Sequence, residues 1–390
     1  TTDYEVVGLA SGESVAIDQT VGTFNSAEVS VADTITAALA FEDFDPASGT
    51  NINNYVLPTE AEGAGEILPL ELTGSIAASS STYGDALEPG TPTLDNVLSG
   101  DAVAATVTVD PSGNTSSSGN LEAGSYNGIQ TVTALTGAQA SNYSIGITPG
   151  DYTVDPRALQ GSIATETTTY GDALVEGSVS FSNRVSGDDV TASVAIDTSG
   201  RTSSSGNLEA GSYTGIQTVD SLNGADAGNY TNAVSAGDYT VDPLVLTGSI
   251  ATSTTTYGDD LVAGTVTYDN RVSGDSVSAE IIIATTGNTS TSGNLEAGTY
   301  TGIQSVDALT GDDAANYTSG ISAGDYTVNK RALTGAAVAA ASSTYGNSLE
   351  PGAVSFTNVV DGDTVAASAT VDTSARSEER RVGKECVSEC

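Results

Sequence analysis

The stretch Val190-Thr191-Ala192-Ser193-Val194-Ala195-Ile196 decides the fold class. Val190, Ala192, Val194 and Ile196 alternate with Thr191, Ser193 and Ala195. A period of two over seven positions puts apolar side chains on one face of a half-buried strand. Working outward, 159–164, 178–181, 215–219, 230–234 and 239–241 read as further short strands. Clusters of Gly, Asn, Asp and Ser separate them, as in Ser186-Gly187-Asp188 and 203–207. These are turn signals, because Gly reaches positive φ and Asx side chains close local turns. No segment sustains a 3.6-residue period. Six or seven short strands in about 87 residues predict an all-β, antiparallel β-sandwich.

The same pattern recurs along the chain. Thr-Tyr-Gly-Asp carries its tyrosine at Tyr83, Tyr170 and Tyr257, 87 residues apart, and Thr-Tyr-Gly-Asn follows 88 later at Tyr345. Ser-Gly-Asn-Leu-Glu-Ala-Gly-[Ser/Thr]-Tyr ends at Tyr126, Tyr213 and Tyr300, and Gly-Asp-Tyr-Thr-Val starts at Gly150, Gly237 and Gly324. Residues 159–245 and 246–332 align without gaps at 57 identities in 87. Self-similarity at a fixed period marks a tandem array. The units run 72–158, 159–245 and 246–332, with a truncated fourth at 333–375. Residues 1–71 read as the C-terminal part of a divergent repeat, since Asn54-Tyr55 stands 88 residues before Asn142-Tyr143.

Asp226-Ala227-Gly228-Asn229-Tyr230 fits the D-x-G-x-Y pattern of an immunoglobulin tyrosine corner, in which a phenol bonds back to upstream backbone. Asp313 and Tyr317 repeat it, and Tyr143 keeps the tyrosine with Gln139 at the acidic position. Asn232 stands where antibody domains carry a cysteine, so the sandwich must hold without that disulfide. The unit junctions are short and two carry Pro156 and Pro243, which fix φ and restrict the preceding residue. The expectation is a monomeric, elongated rod of Ig-like sandwiches.

The Tyr-Gly-Asp opening, the Gly-Asp-x-Val phrase, the Leu-x-Gly-x-Asp-Ala-x-Asn-Tyr segment and the closing Asp-Tyr-Thr-Val together resemble the MBG and YDG tandem repeats of large bacterial surface proteins. Such repeats are typical of filamentous-haemagglutinin-like adhesins, including two-partner secretion exoproteins. The resemblance covers residues 1–375. It departs at Asn347 and at Lys330-Arg331, which replaces Asp-Pro. It implies Ig-like stalk modules, secreted and displayed at the outer-membrane-associated cell surface. It also implies that any host or surface glycan or matrix partner is met through the parent protein.

Composition narrows the remaining choices. Ten Lys and Arg stand against fifty Asp and Glu, a net charge of −40. Nucleic acid and anionic membranes both require clustered cations, so neither is an expected partner. The chain has no His, Met or Trp. Without His, a Ser-His-Asp triad, His-based zinc sites and His-ligated haem are all excluded. No run of about 18 apolar residues exists, so no membrane-spanning helix is expected. The chain starts at Thr1 without Met and reads as an internal fragment. Composition shifts abruptly after Ala375, and the run Arg376 to Cys386 resembles an in-frame translated sequencing adapter. Residues 376–390 are therefore read as an artefactual tail, and they contain both cysteines, Cys386 and Cys390.

The recurring acids are the remaining site candidates. Asp172, Asp188, Asp238, Asp259, Asp275 and Asp325 supply hard oxygen ligands in turns, the chemistry of calcium. Against this, no D-x-D-x-D-G loop is present, and solvated turn residues explain the same pattern. Calcium is the one cofactor considered. A glycosidase carboxylate pair requires one distinct acid in a cleft; here the acids repeat with the unit, so no catalytic residues are expected and the chain is read as non-enzymatic. The sixteen tyrosines read as core packing, with a glycan-stacking platform as the alternative. Residues 159–245 carry two basic and eleven acidic residues, a net of −9, which opposes edge-to-edge strand association and also suits a saline habitat. The function expected is a structural stalk; the alternative is repeats that bind glycan, matrix or cells directly through avidity, with or without calcium.

Overall fold

The computed structural model describes residues 4–372. The segment 376–390, with Cys386 and Cys390, lies outside the described residues. The described chain is nearly all β, and its helical structure is confined to three-residue 3-10 turns such as Ala227–Asn229.

The first strands are β1 (Val15–Ile17), β2 (Thr23–Phe24), β3 (Thr34–Ala38), β4 (Phe44–Pro46) and β5 (Glu60–Ala64). They form a β1-β4 pair and a β2-β3-β5 sheet, with Leu39, Phe44 and Ile52 buried together. Next come β6 (Leu70–Leu72), β7 (Ser79–Thr82), β8 (Ala104–Val109), β9 (Gly124–Thr136), β10 (Tyr143–Ile145) and β11 (Gly150–Asp155). Then follow β12 (Arg157–Ile163), β13 (Glu166–Thr169), β14 (Val179–Phe181), β15 (Thr191–Ile196), β16 (Gly211–Asn223), β17 (Tyr230–Ser235) and β18 (Gly237–Asp242). Seven more match them in order: β19 (Leu244–Ile250), β20 (Ser253–Thr256), β21 (Val266–Tyr268), β22 (Ser278–Ile283), β23 (Gly298–Thr310), β24 (Tyr317–Ser322) and β25 (Gly324–Asn329). The short pair β26 (Ala337–Val338) and β27 (Val354–Ser355) closes the described part.

Two kinds of sheet alternate. The larger has four strands, ordered β7-β11-β9-β8, β13-β18-β16-β15 and β20-β25-β23-β22. The smaller is β10-β6, β14-β12-β17 or β21-β19-β24. The expectation of purely antiparallel sheets is corrected here. β12 pairs parallel with β17, from Arg157↔Tyr230 to Ser162↔Ser235, and β13 pairs parallel with β18. β19 and β24, and β20 and β25, do the same. In each case a strand from the start of the segment lies beside one from its end, both running in the same direction. Such a neighbour pair is parallel by necessity, and a long connection must separate its members.

Strand composition accounts for the rest. In β18, Tyr239 and Val241 point inward and Asp238 and Asp242 outward. In β12, Leu159 and Ile163 are buried on one face, with Gly161 between them. A Cβ at Gly161 would fall 2.1 Å from the Ser180 carbonyl oxygen, so only glycine lets β14 approach that closely. The strand expected at 215–219 extends to the thirteen residues of β16. β13, Glu-Thr-Thr-Thr, carries no apolar residue and no alternation to announce it.

The chain divides into two compact units. One holds the residues up to Ile163 together with Ser178–Ala195 and Thr218–Ala236; the other holds Ala164–Gly177, Ile196–Gln217 and the residues from Gly237 onward. In the first, Tyr83, Leu121, Tyr152 and Val154 share a core with Leu159, Val190 and Tyr230. In the second, Tyr170, Leu208, Ile216, Tyr239 and Val241 share one with Leu246, Val277 and Tyr317. Each core therefore joins a four-stranded sheet to the three-stranded sheet that comes next in the chain. The covalent links are single prolines: Pro156 between β11 and β12, and Pro243 between β18 and β19.

Candidate functional site

The strongest recurring constellation surrounds a buried aspartate. In the first unit, Asp188 follows β14 in the turn Ser186-Gly187-Asp188 and is 5% exposed. Its Oδ2 lies 2.7 Å from the Tyr83 hydroxyl and 2.6 Å from the Tyr230 hydroxyl. Tyr83 comes directly after β7; Tyr230 opens β17. Both phenols donate to the same carboxylate oxygen, while Asp188 Oδ1 has no hydrogen-bond partner. The two rings meet edge to face, with centroids 5.3 Å apart at 76°. Ser116 Oγ stands 2.7 Å from the Tyr83 oxygen, and Val185 N–H donates to the Tyr230 oxygen at 3.0 Å.

The Asp226-x-x-Asn229-Tyr230 segment supplies further links. Asp226 Oδ1 accepts from Ser117 N–H at 3.0 Å and Oδ2 from Asp189 N–H at 2.8 Å. Asn229 Oδ1 accepts from Ala123 N–H at 2.7 Å. Ser117 and Ala123 belong to 72–158; Asp226 and Asn229 belong to 159–245. The second unit contains the same arrangement. Asp275 Oδ2 accepts from Tyr170 at 2.6 Å and from Tyr317 at 2.5 Å, with the rings 5.4 Å apart at 74°. Asp313 accepts from Ser204 and Ser276 N–H, and Asn316 from Ala210 N–H at 2.7 Å.

The expected corner tyrosines therefore occupy this latch. The Tyr230 and Tyr317 hydroxyls do reach back to backbone, at Val185 and Val272, but their protons go to Asp188 and Asp275. Tyr143 accepts from Leu98 N–H at 3.0 Å and donates to Asp101 at 2.5 Å. Asp226 and Asp313, expected as corner acids, instead bind the amides of turns on two different repeats.

Electrostatics follow from burial. Burial pushes the Tyr230 and Tyr317 phenols well above their ordinary value, and donation to Asp188 and Asp275 adds to the rise. Burial also raises Tyr83 and Tyr170. Burial works to raise Asp226 and Asp313, yet the two amide N–H groups on each hold them below the ordinary carboxylate range.

The six calcium candidates take up separate positions. Asp188 and Asp275 are the latch centres. Asp238 and Asp325 accept from the Gly215 and Gly302 N–H groups at 2.9 Å. Asp259 pairs with Arg331, which also donates to the Tyr257 carbonyl at 2.6 Å. Asp172 is exposed beside the turn after β13, and its chain position opposite is Leu244 rather than arginine. Among the described residues no group of three Asp, Glu, His or Cys side chains is gathered as metal ligands.

Buried Gln130, Gln217 and Gln304 were not anticipated from the sequence. Each is 0% exposed on the long central strand. The Gln217 carbonyl accepts from Gly177 N–H at 2.7 Å; its amide donates to the Ala164 and Asp238 carbonyls at 3.1 and 2.8 Å. The recurring Gly-Ile-Gln triplet was the available signal.

A scan against protein-family models finds no match to this chain, and no curated protein matches it.

Proposed function

We propose that residues 1–375 are non-catalytic spacer repeats of a secreted bacterial surface adhesin. In this reading, Ig-like sandwich units of about 87 residues, at 72–158, 159–245 and 246–332, extend an adhesive tip from the cell. The supporting observation is the recurring latch. At the 158/159 and 245/246 boundaries a flexible linker is replaced by a shared core, a two-phenol carboxylate and three amide links from an Asp-x-x-Asn-Tyr segment. Charge-assisted hydrogen bonds contribute about 1.5–3 kcal/mol each when buried. A load along the chain must break several of them together with the core. That is the chemistry of a stiff support.

Small-angle scattering of the chain tests this. An elongated monomer supports it; a compact globule overturns it. A glycan and matrix panel, with calcium and with chelator, tests the alternative. Binding by the repeats would assign them the adhesive role through avidity, and loss of binding with chelator would assign the turn carboxylates to calcium.

A further inference from the structure

β11 is joined to β12 through the Asp155–Pro156 bond, and β18 to β19 through Asp242–Pro243. Acid opens an Asp–Pro bond more readily than other peptide bonds. The side-chain carboxyl can close a five-membered ring on its own carbonyl carbon, and proline leaves as a basic secondary amine. The fold adds two features at these junctions. The Asp155 carbonyl oxygen accepts from Tyr83 N–H at 2.8 Å, and the Asp242 carbonyl oxygen from Tyr170 N–H at 2.8 Å. A fixed donor at this distance stabilises negative charge as it develops on that oxygen. The Asp155 and Asp242 side chains are also exposed, and among the described residues nothing bonds to either carboxyl. Both are free to turn onto the backbone. Asp110–Pro111 offers the contrast. Asp110 Oδ1 accepts from the Ser112 hydroxyl and, at 3.0 Å, from Ser112 N–H, and these bonds hold the carboxyl below its ordinary range and fix it on the following turn.

We infer that Asp155–Pro156 and Asp242–Pro243 are self-scission sites, at which acid splits the backbone where one repeat passes into the next. A carboxyl oxygen of Asp155 forms a bond to the carbonyl carbon of the same residue, and the C–N bond to Pro156 breaks. The carboxyl proton passes to the departing proline nitrogen, leaving a cyclic anhydride at Asp155. Water then opens the anhydride, which restores the side chain and leaves Asp155 as a new C-terminus. One water is consumed, and nothing is oxidised or reduced. The third junction has the same hydrogen bond, from Tyr257 N–H to the Asn329 carbonyl at 2.8 Å. Asn329–Lys330 supplies neither carboxyl nor proline, so this bond should stay whole. Scission would not separate the pieces. Tyr152 and Val154 lie on one side of the first cut, Leu159 and Tyr230 on the other, and all four share one core. A nicked junction is then held by packing and by the latch alone, and gives way under a load that an intact backbone would carry. The inference rests on the junction geometry and does not depend on the adhesin reading.

The test incubates the full chain in mild acid and at neutral pH, with circular dichroism to confirm that it stays folded, and then reads the denatured products by mass spectrometry. Cuts at 155/156 and 242/243 are expected in acid, about tenfold or more faster than at 110/111, since one fixed donor to a developing oxyanion is worth at least that in rate. In guanidinium chloride the Tyr83 and Tyr170 amides are withdrawn and Asp110 is released from Ser112, so the three rates should converge. Asp155→Ala, a change at an exposed position, should abolish the first cut and spare the second. A chain left intact by acid would overturn the inference. So would the same preference among the three bonds in the unfolded chain. A first cut that survives Asp155→Ala would point to a contaminating protease and would also overturn it.

Discussion

Tyr83 and Tyr230, which belong to consecutive repeats, donate to the same oxygen of Asp188 and touch edge to face at 5.3 Å. Neither repeat holds this arrangement alone: the first brings one phenol, the second brings the other phenol and the acid. The stability of one repeat is thereby coupled to its neighbour, the nearest-neighbour term expected of a linear array.

Removing one phenol should be costly. Tyr83→Phe keeps the ring contact but leaves Asp188 with a single donor on a carboxylate already lacking a partner at Oδ1. The expected loss is about 1–3 kcal/mol, measured by urea denaturation. Asp188→Ala strands two buried hydroxyls and should cost more. An unchanged midpoint in both variants would remove the latch from the account of stability.

Residues 159–245 expressed alone should not fold cooperatively. Tyr170, Leu208 and Tyr239 belong to a core completed by Leu246, Val277 and Tyr317, all beyond that boundary. Near-UV circular dichroism would be weak and thermal unfolding broad. A sharp two-state transition for this segment would show that its core closes without its neighbour.

The latch predicts the acid limb of stability. Asp226 and Asp313 have folded-state pKa values held below the ordinary 3.8, so each binds protons more weakly folded than unfolded. Their contribution is complete above that ordinary value and is lost as pH falls through the depressed one. Asp226→Asn should flatten the fall in melting temperature below pH 4, relative to the parent chain. An unaltered acid limb would place the titrating groups elsewhere.

The alkaline limb runs the other way. Tyr83, Tyr170, Tyr230 and Tyr317 are raised above 10.0 in the folded state, so their contribution is complete below that value and is lost as pH climbs through the raised one. Tyrosinate absorbance from the latch phenols should appear only as the fold is lost. A single smooth titration before any loss of structure would contradict this.

Gln304→Leu isolates the third device. It strands the Gly264 N–H and the Ala251 and Asp325 carbonyls, which the amide serves at 2.7, 3.2 and 2.7 Å. Each stranded buried group costs about 1–3 kcal/mol. Gln304→Glu retains shape and the Gly264 acceptor but sets a buried carboxylate oxygen against the same two carbonyls, and should be destabilised at least as much as the leucine variant at neutral pH in thermal unfolding.

Strand positions were largely legible because half-buried strands print their burial as alternation, as in Val190 to Ile196. β13 was illegible for the same reason: Glu166 to Thr169 lies at a sheet edge, is held by backbone pairing with β18, and needs no apolar face. The tyrosine of Asn229-Tyr230 was visible as a special residue, but its partner was not, since Asp188 lies 42 residues away in the chain.

Alone, the sequence determined an all-β chain, the spacing of its recurring motifs and the residues available at each recurrence, because these depend on local periodicity and on identity. Direction of pairing and choice of partner were decided only in three dimensions. Whether β12 runs parallel to β17, and whether Asp226 closes a local corner or binds the amide of Ser117 in the preceding repeat, depends on which strands end side by side. That is a property of chain path and packing, and a repeated sequence is equally consistent with contacts inside a repeat and with contacts to the next one.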